Sequence, residues 1–442
     1  MSNNDSNRRP PALNRDRARP RNQPAPADSE IEARLEELIR PSVQRVVRQY
    51  QNLGLRERVF TLPITLAMVL GLIWRQFPSV GELLRALARE PLLWAPPLRA
   101  TESAFNQRLR CLPSQLFGEV FADLLPTLLA RAQARSHPQP LAIKRALGQF
   151  ARIWVLDATT LEAVARRVGL LKDLPSTPLG GKLLGVLDLP SKLPVHLWLE
   201  GEAEVNEKAF LERVQAVLPT ETLLLIDRGF YAFPFFDYLS ERGLGFITRA
   251  RSNLAFSVQT VLYESAQVRD RVIAVGQYRS NPARYPLRLV AVQVGGTWHT
   301  YLTNVLDPSV LPTADVVDLY GRRWSIESAF LLVKRLLGLA YLWRESYNAI
   351  ALQVWGSWLL YAVLLDLCGA IAQELDLPLD RISVEMVYRG LYHFSVAHQK
   401  GQASDPVAYL AAPEQADLDI VKRYRPKRLQ ARLAKLPKEL NL

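Results

Sequence analysis

Cysteine is nearly absent: Cys111 and Cys368 are the only two among 442 residues. A pair so far apart makes neither a disulfide framework nor a zinc motif, and this usage fits a reducing cytoplasm. Histidine is scarce as well. His137, His196, His299, His393 and His398 form no ligand pattern such as H-E-x-x-H, so any metal falls to carboxylates. The N-terminus lacks the apolar segment of a signal peptide. An uninterrupted membrane span is also missing. The nearest run, 349-AIALQVWGSWLLYAVLLDLCGAIA-372, is broken by Gln353, Ser357 and Asp366, and it reads as a buried helix. The run 61-TLPITLAMVLGLIW-74 is too short to span and reads as core. Acid is in deficit: 43 Asp and Glu stand against 55 Lys and Arg, a formal charge of +12. Such a surplus favours an anionic partner, nucleic acid or an anionic membrane surface, and a merely basic soluble protein is the plain account that stands equally beside it.

What is present divides the chain into stretches. Residues 1–30 hold six arginines and have the composition of a disordered basic arm. From 31 to 146 the pattern is helical, with apolar residues three and four apart in 31-IEARLEELIRPSVQRVVRQYQNL-53, 79-SVGELLRALARE-90 and 116-LFGEVFADLLPTLLARAQAR-135. Within it, 101-TESAFNQRLRCLP-113 offers Thr101 as an N-cap and Arg108 and Arg110 on a short helix. That helix suits a DNA groove or a plain surface equally. From 147 to 250, strands at 153–156, 183–189, 194–200, 222–227 and 244–250 alternate with helices at 207–218 and 233–243, a mixed α/β pattern. From 251 to 309 three strands, 271–278, 286–294 and 297–304, make a β-rich insertion. From 310 the chain is helical again and closes on the basic tail 421-VKRYRPKRLQARLAKLPKEL-440.

Two predicted strands end in an aspartate: 153-IWVLDATTL-161 gives Asp157, and 223-LLLIDRGFY-231 gives Asp227. A carboxylate at the edge of a core costs free energy unless something binds it. A turn or cap role serves for each alone. The third carboxylate, Glu327, lies in 320-YGRRWSIESAFLLVK-334, which reads as one helix. There Tyr320, Arg323, Glu327 and Lys334 follow at steps of three, four and seven, which share one stripe of a helix. A solvated face with an Arg323–Glu327 pair is the plain account. Taken together, three carboxylates beside basic side chains suit a chemistry in which two divalent ions, roughly 3.5–4 Å apart, cleave a phosphodiester. Asp188, Glu200, Glu202, Glu204 and Glu207 rank lower, since none joins a strand end to a basic motif.

The pattern Y-x2-R-x3-E-x6-K resembles the YREK signature of bacterial insertion-sequence transposases with a DDE triad. DATTL at 157 is similar to their first-aspartate motif, and DRGFYAFPFFDYL at 227 to their D-x-G-[FY] motif. Ala158 departs from the Gly or Ser common there. The resemblance covers roughly residues 60 to 345. It implies an α/β ribonuclease-H-like catalytic core interrupted by a β-rich insertion, with helical N-terminal and C-terminal domains. The core would be split over 147–250 and 310–345, around the insertion at 251–309. A helical DNA-binding domain would fill 31–146 and a helical region with the basic tail 346–442. Asp157, Asp227 and Glu327 carry over as catalytic metal ligands for Mg²⁺, with Mn²⁺ also suited. Tyr320, Arg323 and Lys334 carry over as contacts to DNA phosphates. Trp298, in 297-TWHTYLTN-304, stands where related enzymes stack a flipped base, or is a core tryptophan.

The function implied is cut-and-paste transposition. Terminal inverted repeats are bound, a phosphodiester is hydrolysed, and the 3′-OH is joined to target DNA. The implied partners are double-stranded DNA and a second copy of the chain in a synaptic complex, in the cytoplasm and at the nucleoid. Two other readings stand beside it: a ribonuclease-H-like nuclease without strand transfer, and a DNA-binding regulator built on a retired transposase. A membrane protein is the most distant.

Overall fold

The computed structural model describes residues 28–52, 54, 59–160, 181–202, 205–276, 282–335 and 346–422. The basic arm up to residue 27, the tail beyond 422 and residues 336–345 of the expected catalytic-helix segment lie outside them.

The chain opens with helices α1 (Ser29–Asn52), α2 (Leu62–Trp74), α3 (Val80–Leu87), α4 (Glu102–Cys111), α5 (Gln115–Ala134) and α6 (Leu141–Leu147). Thr101 does cap α4, accepting a hydrogen bond from the Ala104 amide at 3.2 Å. The short apolar run is α2, and 11 of its 13 residues are buried, which is why it shows no polar face.

A sheet follows: β1 (Arg152–Thr160), β2 (Lys182–Asp188), β3 (Pro194–Glu200), helix α7 (Leu211–Val217), β4 (Thr222–Ile226), helix α8 (Phe233–Glu241), β5 (Gly245–Arg249), β6 (Phe256–Glu264), β7 (Val268–Val275), β8 (Leu287–Val294) and β9 (Thr297–Thr303). Among the described residues the nine strands form one mixed sheet in the order β3-β2-β1-β4-β5-β9-β8-β7-β6. Strands β1, β2 and β3 are antiparallel neighbours, while β1, β4 and β5 run parallel. The β-rich stretch is joined to this sheet, because β9 pairs with β5 and a meander continues from it. It holds four strands rather than the three expected. The extra strand, β6, is an edge strand exposed along most of its length, so no buried alternation marks it.

The unbroken apolar runs of β1 and β4 serve two cores, since alternate residues face opposite sides. Ile153, Val155, Leu223 and Leu225 face the core that includes α2, α5 and the later helices. Trp154, Leu156, Leu224 and Ile226 face Val214 of α7 and Phe235 and Phe236 of α8.

The chain ends in α9 (Thr313–Arg322), α10 (Trp324–Arg335), α11 (Tyr347–Glu374), α12 (Val384–Gln399) and α13 (Pro406–Ala411). By length and composition α11 is apolar enough to cross a membrane, but 89 % of its most apolar window is buried inside the fold. Its polar interruptions meet partners there. The Ser357 hydroxyl donates to the Gln353 carbonyl at 2.8 Å. The Asp366 carboxylate lies 2.6 Å from Arg135, 3.0 Å from Arg131 and 3.7 Å from Arg34. This helix is the central column on which α2, α4, α5, α12 and α13 pack.

Candidate active site

Register brings the two aspartates together. Leu156 of β1 is paired with Ile226 of β4 in a parallel ladder, so the next residue on each chain is a carboxylate. Strand β4 stops at Ile226, but β1 runs on to Thr160 against β2. Asp157 therefore lies inside a strand, not at its end as its sequence suggests. It sits where β1 loses its β4 neighbour, and that gap leaves room for side chains from the helices. Asp227 opens a short 3-10 turn, Arg228–Phe230, and its side chain makes no capping bond. Both aspartates have the strand parity of Val155 and Leu225, and so face the side on which α9 and α10 pack.

Tyr320, Arg323, Glu327 and Lys334 do not share one helix. Helix α9 ends at Arg322 and α10 begins at Trp324; Arg323 is the joint. The Arg323 amide donates to the Tyr320 carbonyl at 3.1 Å and the Ile326 amide to the Arg323 carbonyl at 3.2 Å, a tightened i→i+3 turn. Arg323 keeps right-handed helical angles, φ −49° and ψ −34°, so the four side chains still point the same way. Gly185, paired with Asp157 across β1 and β2, lets α10 lie close: a Cβ there would stand 3.1 Å from the Phe330 ring.

One guanidinium meets all three acids. Arg323 is 4 % exposed. Its Nη1 lies 2.7 Å from Asp157 Oδ2, and its Nη2 lies 2.8 Å from Glu327 Oε1 and 3.3 Å from Asp227 Oδ1. Burial pushes the Asp157 carboxyl up to about 7, against the pull of Arg323 and the Ala158 amide, and the charges of Asp227 and Glu327 push the same way. Arg323 itself is held above its ordinary value: burial works against its charge, and Asp157, Asp227, Tyr320 and Glu327 outweigh it.

The remaining expected residues are placed as follows. Tyr320 is buried, edge-on to Tyr301 with ring centroids 5.3 Å apart. Lys334 is not displayed to solvent. Its ammonium donates to the Thr159 hydroxyl and, at 2.6 Å, to the Thr160 carbonyl of β1, and burial lowers its pKa to about 8. Trp298 is half-buried on β9, and the Arg269 guanidinium covers its ring at 4.5 Å. Arg108 turns inward, hydrogen-bonded to the Tyr50 hydroxyl with its guanidinium 5.2 Å from that ring. Arg110 is exposed on α4. Neither arginine stands among the three acids.

Glu207, ranked lower in the sequence, packs against Gly229 on the turn that follows Asp227. Burial raises the Glu207 carboxyl, Lys182 at 4.0 Å lowers it, and it senses the charges of Asp227 and Arg323. Its signal was faint: an acid just after Asn206, whose side chain accepts from the Lys208 amide and so caps the 3-10 turn that leads into α7.

As placed, no three His, Cys, Asp or Glu among the described residues make a ready metal centre. The reason is the guanidinium between them. The donor set itself fits a hard divalent cation, since three carboxylates already converge on a single positive charge.

Residues 149–363 match the family model described as "Transposase DDE domain", a span that holds the three acids, the basic stripe and Trp298. "Putative transposase y4zB" of Sinorhizobium fredii (strain NBRC 101917 / NGR234) is 26 % identical over 318 residues, covering 62 % of this chain and 87 % of that protein. "Probable transposase for insertion sequence element IS5377" of Geobacillus stearothermophilus is 23 % identical over 279 residues, 60 % of this chain and 69 % of that protein. Among solved structures, the "Cryo-EM structure of piggyBac transposase synaptic complex with hairpin DNA (SNHP)" aligns over 92 % of this chain and 89 % of that one, with 12 % identity and a TM-score of 0.41. The chain is thus similar to a transposase DDE domain over residues 149–363 and, more distantly, to two relatives named as transposases, one of them for an insertion sequence element.

Proposed function

We propose that the chain is a DDE transposase of the YREK type that binds the inverted repeats of its element and cuts and rejoins DNA. The observation that carries this is the meeting of Asp157, Asp227 and Glu327 on one cation, within a span matched as a transposase domain. The sheet supports a ribonuclease-H-like core. Three antiparallel strands adjoin two parallel ones, with both aspartates where β4 ends.

Asp157, Asp227 and Glu327 would hold Mg²⁺ or Mn²⁺. Bound there, the ion supplies the Lewis acid that activates water and steadies a leaving oxygen. Arg323 is the counter-charge of the acids and the natural partner of a DNA phosphate, with which a guanidinium pairs in the same forked geometry. Lys334 holds β1 at Thr159 and Thr160, and so fixes the strand that carries Asp157. The helical stretch 31–146, with Arg110 exposed, would take the repeats. A second copy would bring the other end.

The test is a labelled fragment of the element's end, incubated with the full chain in Mg²⁺ or EDTA, beside Glu327→Ala. Nicking at the boundary is expected with Mg²⁺ only, and a loss on the order of 10³-fold or more in the variant. Near wild-type cleavage by Glu327→Ala would remove Glu327 from the site. Binding without cleavage in either metal would favour a retired, DNA-binding protein. Nicking without joining to added target DNA would leave a nuclease.

A further inference from the structure

Glu207 has no role in the triad, yet the fold goes to some length to place it. It begins the 3-10 turn Glu207–Phe210, after the edge strand β3. In the sheet β3 is three places from β4. The connection crosses back to pack on the Arg228–Phe230 turn that follows Asp227. There the Glu207 carboxylate lies directly against Gly229. A Cβ on Gly229 would stand 1.4 Å from Oε2 and 3.3 Å from Oε1, so no other residue at 229 admits the carboxylate in this position. The Glu207 side chain is only 25 % exposed, and among the described residues its one ion pair is with Lys182 at 4.0 Å. That ammonium already donates to the Val205 carbonyl at 2.5 Å. A carboxylate in such a place is under-compensated, and it stands against the turn that Asp227 opens.

We propose that Glu207 is a fourth acid of the centre, a positioning residue that acts beside Asp227 to strengthen the grip on a divalent cation. This rests on the reading above in one respect, that Asp157, Asp227 and Glu327 take up such a cation. The chemistry is simple. Arg323 neutralises part of the charge of the three acids, and a fourth carboxylate at the Asp227 turn, itself only partly offset by Lys182 at 4.0 Å, restores the excess that a divalent ion needs. Outer groups of this kind commonly alter metal affinity by about 10- to 100-fold.

The experiment is a titration of the full chain with Mn²⁺, without DNA, following the resonance signal of free Mn²⁺. Wild type, Glu207→Gln, Glu207→Asp, Gly229→Ala and Asp227→Asn are compared, with urea unfolding as the control for folding. Glu207→Gln should weaken Mn²⁺ binding about tenfold with little change in the urea midpoint. Glu207→Asp should recover part of the loss. Gly229→Ala, which must push the carboxylate aside, should weaken binding alike and add nothing in the Glu207→Gln background. Wild-type binding by Glu207→Gln, with loss only in Asp227→Asn, overturns the proposal and leaves the transposase reading standing. Binding unaffected by Asp227→Asn, or no binding by wild type, overturns both.

Discussion

Arg323 is a buried cation with three anions, and its removal tests its task as their counter-charge. If it serves as the counter-charge of the acids, Arg323→Gln leaves Asp157 buried at 7 % exposure without its closest cation. Breaking a fully buried pair costs about 3–5 kcal/mol. Asp227 and Glu327 keep about a third of their side-chain surface in water, so the cost here should be smaller, on the order of 2 kcal/mol. Urea unfolding in EDTA should show that loss, and added Mg²⁺ should narrow it by supplying another positive charge to the same oxygens. An unchanged midpoint in EDTA would mean that Arg323 contributes nothing to the resting fold. At this scale the sequence was informative about chemistry and blind to direction. It gave the residues that meet, because a stripe at helical spacing and two strand-borne aspartates are local patterns. That Lys334 turns onto β1, or that Arg108 turns onto Tyr50, depends on what lies opposite in space.

Among the elements, the most consequential join is buried between the meander and α9. Arg288 of β8 and Asp270 of β7 are fully buried. The Arg288 Nη2 lies 2.5 Å from Asp270 Oδ2, and its Nη1 donates to the Leu311 carbonyl at 2.6 Å. The Thr313 hydroxyl, on the first residue of α9, donates to the same Asp270 oxygen at 2.6 Å. Through this cluster the meander sets where α9 begins, and hence where Arg323 and Glu327 come to lie. Arg288→Met should cost about 3–5 kcal/mol, since it strands a buried carboxylate. Adding Asp270→Leu should recover most of that in a urea double-mutant cycle, because an apolar pair of similar volume needs no counter-charge. Additive losses would argue that the side chains stabilise separately. None of this was legible beforehand. Asp270 sits between two arginines and Arg288 at the head of an apolar run, so neither marks a buried pair, and only the pairing of β7 with β8 brings them to one place. Strand β6 was missed for the converse reason: an exposed edge strand carries no buried face to print a period of two. The 320–334 stretch was read as one helix because Arg323 keeps helical angles and only its hydrogen bonds change.

At the scale of the molecule, a sheet apolar on both faces must be held against two unlike layers, and charge clamps the helical one in place. Asp380, in the short turn Leu379–Arg381 between α11 and α12, lies 2.7 Å from Lys192 of the β2–β3 turn and 2.5 Å from Arg322 at the end of α9. It thus ties the C-terminal helices to the sheet and to the helix before the candidate site. Burial alone would raise its carboxyl, but Lys192, Arg322 and Lys422 outweigh burial and hold it at about 2. The ordinary value is 3.8, so the native state favours the ionised form. Its contribution to stability is present above pH 3.8 and is lost as pH falls through about 2. Two-fifths of the side chain stays in contact with water, so the effect should be modest and weakened by salt. Wild type should therefore be the more stable of the pair when compared with Asp380→Asn by urea unfolding at pH 7. The gap should close as pH is lowered from 4 toward 2, because protonation then does to Asp380 what the amide does permanently. A gap that stays constant over that range would show that the carboxylate's charge is not what joins these layers.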